Sequence, residues 1–280
     1  MYRPHRIGWL LATAAIMALV VGVAFITPPA DAARSAKADD NGNCGNPRVL
    51  PPQSHPYGKS YGEWSVAAWQ WVCSAPLDQH PGLDETGAYI DYGQSGPVWF
   101  LAPNFGGMSN RYGEIPQGKA LFISLIGFES SAREGYGTTE EDLRAVAASV
   151  IDGVENLTCE VDGVPIEGLS AYRFQTPYMF SLTVPEDNVF DLWGVPTPAG
   201  TYFPSVADGY CILLAPLPRG EHTIHFAAEI PLLGFWQAIT FHLQVVAPGE
   251  VQGPEVLNPA YAPAPTTEAR SWSSVKALYR

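Results

Sequence analysis

The stretch Tyr57–Cys73, YGKSYGEWSVAAWQWVC, carries three of the chain's eight tryptophans and predicts one helix. Ser60 and Glu63 have the S-x-x-E spacing of a capping box, so the helix should begin at about Tyr61. It should end near Ala75, because the proline that follows disfavours helical geometry in the residue before it. The residues that recur at helical spacing and form its apolar stripe are Tyr61, Trp64, Ala68 and Trp71. A stripe this bulky should cover the core of a β-sheet.

Downstream of this helix the sequence predicts short strands separated by turn residues. A second helix should follow Thr138, which starts another capping-box pattern, and end before Gly153. About nine strands and two helices predict a mainly β fold, a single β-sandwich or jelly-roll-like domain with two packing helices. We assign this domain to residues 57–246, after a flexible arm over residues 33–56 and before a Pro-rich tail over residues 247–280.

The first 32 residues have the pattern of a signal peptide. Arg3 and Arg6 precede an apolar run over residues 7–26, and Ala30-Asp31-Ala32 is a small-x-small motif that predicts cleavage after Ala32. A run of about 20 apolar residues can also span a bilayer, so an uncleaved membrane anchor is the alternative. We therefore expect a secreted or cell-surface protein without stable membrane insertion after cleavage.

The chain is acidic. It has 15 basic and 28 acidic side chains and a net charge of −13, and the predicted signal peptide contains two of the arginines and one aspartate. Binding to phosphate groups needs clustered lysine and arginine, so we expect neither a nucleic-acid partner nor an anionic lipid surface.

The four cysteines all follow the predicted cleavage site. An even number of cysteines in an oxidising compartment predicts two disulfides, with three connectivities open. We favour Cys44 with Cys73, which would tether the arm to the helix, and Cys159 with Cys211, which would join two strands. Their wide separation along the chain argues against a metal site built from cysteines.

His225 and His242 are the candidate metal ligands. In the last two predicted strands each histidine lies on the face opposite the apolar residues, because side chains alternate along a strand. An antiparallel register with Ala228 opposite Ile239 would place the two imidazoles directly across from each other. Such a pair can hold a divalent metal when carboxylates complete the site. The alternative is a polar sheet face with two inert histidines, because two histidines alone fall short of a metal signature.

Glu63 and Glu129 are the candidate catalytic carboxylates. Each lies on the polar side or at the end of its predicted element, so either could complete the metal site. Together they could also act as the general acid and base of a glycosidase, whose two carboxyl groups lie roughly 5 to 10 Å apart. The alternative assigns Glu63 to helix capping and Glu129 to the protein surface.

Trp193 and Trp236 are the candidate ligand-binding aromatics. Both lie in or beside loops that contain proline or glycine, where an exposed ring could stack on a sugar or another flat apolar face. Core packing is the alternative for each of them.

Four segments resemble a family of uncharacterised secreted bacterial proteins. They are YGKSYGEWSVAAWQWVCSAP, GPVWFLAPNFGG, IPQGKALFISLIGFES and ADGYCILLAPLPRGEHTIHF, and the resemblance extends over residues 57–246. It implies an exported origin and assigns no activity and no catalytic residue.

The sequence contains no complete catalytic motif, so whether the protein is an enzyme stays open. The leading hypothesis is a non-catalytic secreted β-sandwich protein that binds an extracellular ligand, with polysaccharide as a candidate. One alternative is a metal-dependent hydrolase that uses His225 and His242 with Glu63 or Glu129, and it alone requires a divalent metal. The second alternative is a structural protein of the cell envelope.

Overall fold

Two five-stranded β-sheets form the fold in a computed structural model that describes residues 48–251 and 276–277. The strands are β1 Val98–Leu101, β2 Gly107–Pro116, β3 Ala120–Ser131, β4 Glu155–Val161, β5 Val164–Pro165, β6 Arg173–Gln175, β7 Phe180–Val184, β8 Gly200–Leu214, β9 Gly220–Ile230 and β10 Phe235–Val246. The helices are α1 Tyr61–Cys73, α2 Glu140–Ile151 and α3 Val189–Leu192. The predicted signal peptide, Cys44 and most of the predicted tail lie outside the described residues.

The sheets are mixed and pack face to face, which confirms the predicted β-sandwich with packing helices. In the first sheet the order is β1-β3-β8-β6, with β7 also paired to β8, and in the second it is β2-β10-β9-β4-β5. Buried and partly exposed residues alternate along the whole of β10, so one face of the second sheet is covered by the core. Nearly every residue of β3 is buried, because the first sheet is covered on its second face too, where α1 packs.

The helix α1 begins and is capped as predicted. The Ser60 hydroxyl accepts a hydrogen bond from the Glu63 amide at 3.3 Å, and the Ser60 amide donates to the Glu63 carboxylate at 2.7 Å. The helix ends at Cys73, two residues before the predicted end. In α2 the cap is Thr139 and not Thr138, because the Thr139 hydroxyl accepts from the Asp142 amide.

The predicted register of the last two strands is wrong by two residues. Ala228 lies opposite Gln237, and His225 lies opposite Thr240. The predicted register assumes a longer connection, whereas the two strands stay paired up to Ile230 and Phe235 and only residues 231–234 separate them.

Part of the predicted flexible arm belongs to the domain. Val49 is buried and forms a β-bridge with Leu214, and the Leu50 amide donates to the Leu213 carbonyl at 2.8 Å. Among the described strands, β6 pairs with β8 only as far as Tyr210. Beyond that residue, Val49 and Leu50 bond to the backbone of β8, which would otherwise be an open edge.

The predicted disulfide between Cys159 and Cys211 is absent. Cys73, Cys159 and Cys211 are buried free thiols, and Cys44, the predicted partner of Cys73, lies outside the described residues. Cys159 belongs to β4 in the second sheet and Cys211 to β8 in the first, where both pack among apolar side chains. The prediction failed because the number of cysteines does not indicate how far apart they lie in the fold. A buried thiol can also pack as a small apolar group.

Among the described helices, none has both the length and the hydropathy that a membrane crossing requires.

Candidate functional site

A cleft with a cavity volume of about 50 Å³ opens between α1, the end of β1 with the loop after it, and the helix-facing side of β3. We call it the α1 cleft. Its walls are mostly aromatic, and the rings that define it are Trp69, Trp71, Phe100, Phe105, Phe122 and Trp193. The cleft is open to solvent and is set against the rigid first sheet.

The face of the helix that lines the cleft overlaps the predicted stripe at Ala68 and Trp71 and is rotated towards Trp69. Ser65, Ala68, Trp69 and Val72 follow the i, i+3, i+4, i+7 spacing of one helical face, and all four line the cleft. The indole of Trp71 stacks on Phe100 with 5.4 Å between ring centroids. The stacked rings of Trp71 and Phe100 therefore form one wall of the cleft.

Gly127 leaves space at the base of the cleft, because it has no side chain. A Cβ atom at this position would lie 3.5 Å from Cζ2 of Trp69, so a larger side chain would occupy the space beneath the indole. The absence of a side chain at Gly127 is one reason that an opening exists here.

Few polar groups point at the cleft with unused hydrogen-bonding capacity. The Asn104 amide donates to the Gly107 carbonyl at 3.1 Å and to the Ser109 hydroxyl at 2.8 Å, and its oxygen accepts from the Gly106 amide. Ser65 and Ser124 add two hydroxyl groups. The chemistry of the cleft is therefore apolar and aromatic.

Lys276 lies at one end of the cleft in a buried pocket of opposite charge. Its ammonium donates to the Glu134 carboxylate at 2.7 Å, to the Glu129 carboxylate at 3.1 Å and to the Glu129 carbonyl at 2.8 Å. It also lies 3.8 Å from the centroid of the Trp193 ring and 4.9 Å from that of Phe128. We call Phe128, Glu129, Glu134 and Trp193 the lysine pocket.

Two carboxylate side chains share one ammonium in this pocket. Burial raises the pKa of Glu134 to about 8, and the nearby Glu129 carboxylate adds to the effect. Burial alone lowers the pKa of Lys276, but the attraction of Glu134 and Glu129 outweighs it and the pKa of Lys276 is raised. The pocket therefore favours the charged form of Lys276, and Glu134 keeps its proton to a higher pH than an exposed glutamate does.

The structure separates the two predicted catalytic carboxylates. Glu63 caps the first turn of α1, and its pKa is lowered by the hydrogen bond from the Ser60 amide. Glu129 is fully buried rather than at the surface, and it interacts with Cys73 in the last turn of the same helix. Ten residues of helix separate Glu63 from Cys73, a rise of about 15 Å, so the glycosidase arrangement is not formed.

The two candidate metal ligands lie on the solvent-facing side of the second sheet, away from α1. His225 shares a hydrogen bond of 3.0 Å with the Thr240 hydroxyl, and His242 stacks on Tyr112 with 4.5 Å between centroids. Burial lowers the pKa of His242. Within the described residues no group of three or more His, Cys, Asp or Glu side chains is placed to hold a metal. The predicted set of His225, His242, Glu63 and Glu129 is therefore not brought together.

The two candidate ligand-binding tryptophans have different positions. Trp193 is buried rather than exposed, with 3% of its surface accessible, and lines the α1 cleft. Trp236 lies opposite Glu229 on the outer face of the second sheet and does not line the cleft. Of the predicted site residues, only Trp193 and Glu129 lie at or beside the cleft.

Comparison with family models gives no match, and comparison with curated proteins gives none. A solved structure that matches is that of PbICP-C in complex with falcipain-2. The match has 12% sequence identity and a TM-score of 0.22, and it covers 54% of this chain and 100% of that chain. A likeness at this level supports no conclusion about function, and the family resemblance stays a prediction.

Proposed function

We propose that the protein is a non-catalytic binding protein whose ligand is a small molecule with a flat apolar face, held in the α1 cleft. The observation that carries the proposal is the convergence of aromatic rings from α1, β1, β3 and the residue that caps α3 on one open space. Ligand pockets in proteins are lined mainly by apolar and aromatic side chains, with a few polar groups. The lining of the cleft agrees with that class.

The lining favours a mostly apolar ligand over a carbohydrate. Sugar rings stack on aromatic side chains, but their many hydroxyl groups also need hydrogen-bond partners. Among the hydroxyl, amide and ammonium side chains at the cleft, Asn104 and Lys276 already bond to the protein, which leaves Ser65 and Ser124. A ligand with one or two rings and few polar substituents fits this supply best.

Titration with N-phenyl-1-naphthylamine, a neutral dye that fluoresces in apolar surroundings, tests the proposal. We expect saturable binding at one site, with a dissociation constant near the micromolar range, or about −8 kcal/mol. The Ala68→Phe variant fills the cleft and should weaken binding by about tenfold or more, which corresponds to about 1.4 kcal/mol.

The matched control is Gln70→Phe, which adds the same ring to an exposed position of α1 outside the cleft. It should bind the dye as the unaltered protein does. Equal affinity in all three proteins would contradict the proposal. Retardation of the unaltered protein on a glucan gel, lost in Ala68→Phe, would assign the cleft to carbohydrate instead.

We further propose that the protein is exported and processed after Ala32, on the strength of the signal-peptide pattern. N-terminal sequencing of protein from an expressing culture should then begin at Ala33. An N-terminus at Met1 on membrane-associated protein would favour the anchor instead.

A further inference from the structure

The lysine pocket is more specific than a chance burial of opposite charges. Lys276 is only 2% exposed, and the two carboxylate side chains that it contacts are fully buried. Its partners lie 142 and 147 positions away in the chain. Burying a charge is costly unless it is paired and hydrogen-bonded, so a site of this kind persists only when its groups match.

The geometry around the Lys276 nitrogen matches a primary ammonium. An ammonium has three N–H donors, and three acceptors lie at 2.7, 2.8 and 3.1 Å. The faces of Trp193 and Phe128 lie against the same group, where their negative ring potential attracts a cation. A quaternary ammonium has no N–H donors for the three acceptors, and a planar guanidinium directs its donors differently.

The carboxyl groups and the indole of the pocket come from the β-sandwich, and Lys276 follows the last strand in the chain. Glu129 lies two residues before the end of β3, Glu134 lies in the turn that follows, and Trp193 caps α3, so these groups are fixed by the fold. Both carboxyl groups are held on elements of the sandwich before Lys276 is counted, and the Ser131 hydroxyl donates to Glu134 at 3.0 Å. Lys276 enters from the C-terminal segment, where Tyr136 donates a hydrogen bond to its carbonyl at 2.9 Å.

We propose that the lysine pocket is a binding site for linear primary alkylammonium groups, which the chain fills with its own Lys276. When that side chain is removed, a free alkylamine of the same length occupies its place. This site adjoins the α1 cleft but recognises a cation, so it is independent of the apolar ligand proposed there.

Chemical rescue of Lys276→Ala in the full chain tests this. Removing the side chain beyond Cβ leaves two buried carboxyl groups without a cation, and the melting temperature should fall by about 10 °C. Added n-propylammonium chloride, which supplies the missing three carbons and the nitrogen, should restore most of this loss in a saturable way. Sodium chloride and 1-propanol at equal concentrations should not.

Two controls separate recognition of the cation from filling of a cavity. Lys276→Met keeps an apolar chain in the pocket without the charge, and its melting temperature should not respond to n-propylammonium. Lys276→Ala/Glu129→Gln removes one carboxylate, and its response should be weaker by about tenfold in apparent affinity. Rescue by 1-propanol equal to rescue by the amine, or an unchanged melting temperature in Lys276→Ala, would overturn the proposal.

A measurement on the unaltered protein keeps the proposal testable if the variants do not fold. Acetylation at low reagent concentration, followed by mass spectrometry, should modify exposed Lys59 at least tenfold faster than Lys276. Equal rates would show that Lys276 does not occupy the pocket. Excess n-propylammonium, which should compete for the pocket, is expected to raise the rate at Lys276 and leave Lys59 unchanged.

Discussion

Glu134 links the buried charges to the pH dependence of stability. Its ordinary pKa of 4.5 is raised to about 8 in the folded protein, so between these values the folded state holds a proton that the unfolded chain has released. Stability from this residue is therefore lost as pH rises from about 4.5 to about 8. The titratable groups that face it are Glu129, Lys276 and Cys73, and the Ser131 hydroxyl donates to its carboxyl group at 3.0 Å.

His80 acts in the opposite direction over a lower pH range. Burial, with the nearby Arg111, lowers its pKa from 6.5 to about 4, so the folded protein gains stability as pH rises between these values. Between about pH 6.5 and about pH 8, therefore, Glu134 changes the stability and His80 does not.

We expect Glu134→Gln to flatten the pH dependence in that upper range. The unaltered protein should lose about 1–2 kcal/mol of unfolding free energy between pH 6.5 and pH 8, because the slope for one proton is about 1.4 kcal/mol per pH unit. Urea denaturation at the two pH values measures the loss. The exposed Glu141→Gln is the control and should behave as the unaltered protein, whereas parallel curves for Glu134→Gln would refute the buried proton.

At the scale of single elements, the sequence predicts those whose signals are local. The capping box at Ser60 and the Asp162-Gly163 hairpin are both present, and Asp162 and Gly163 have the positive φ angles of 51° and 74° that such a turn needs. β2 was missed because its sequence, GMSNRYGEIP, lacks a strong apolar run, and it forms through parallel pairing with β10. The sequence of either strand alone does not indicate that it pairs with a strand far away in the chain.

The capping box makes a measurable contribution to α1. Ser60→Ala removes the acceptor for the Glu63 amide and should lower the unfolding free energy by about 1 kcal/mol. Ser149→Ala is the matched control, because its hydroxyl bonds a carbonyl within α2 and its loss should cost less than about 0.5 kcal/mol. Denaturant unfolding of both variants measures the difference, and equal effects would argue against the cap.

A pair of facing glycines in β3 and β8 tests the close approach of the strands. Gly127 and Gly209 lie opposite each other, but a Cβ at Gly209 would lie 2.5 Å from the Ile126 carbonyl oxygen, whereas at Gly127 the nearest atoms lie at 3.5 Å. Gly209→Ala should therefore destabilise the protein by about 2 kcal/mol or more, and Gly127→Ala by less than about 1 kcal/mol. Thermal unfolding distinguishes them, and a reversed order would contradict this strand arrangement.

For the whole molecule, the sequence predicts the β-sandwich and the helix on it but assembles the site incorrectly. The helical spacing of Ser65, Ala68, Trp69 and Val72 could have indicated this apolar face, but the opening that it lines depends on β3 and on α3. Glu129 reads as a surface residue at the end of a strand, and only the return of Lys276 explains its burial. Contacts between residues more than a hundred positions apart are not visible in local patterns.

Binding of an apolar ligand in the α1 cleft is the central property that we propose for this protein. The direct measurement is ¹⁹F NMR of protein containing 5-fluorotryptophan, titrated with N-phenyl-1-naphthylamine and assigned with Trp→Phe variants. We predict that the signals of Trp69, Trp71 and Trp193 shift with one common dissociation constant, while that of Trp236, on the outer face of the second sheet, stays unchanged. A shift at Trp236 with unchanged signals at the three cleft residues would contradict the account.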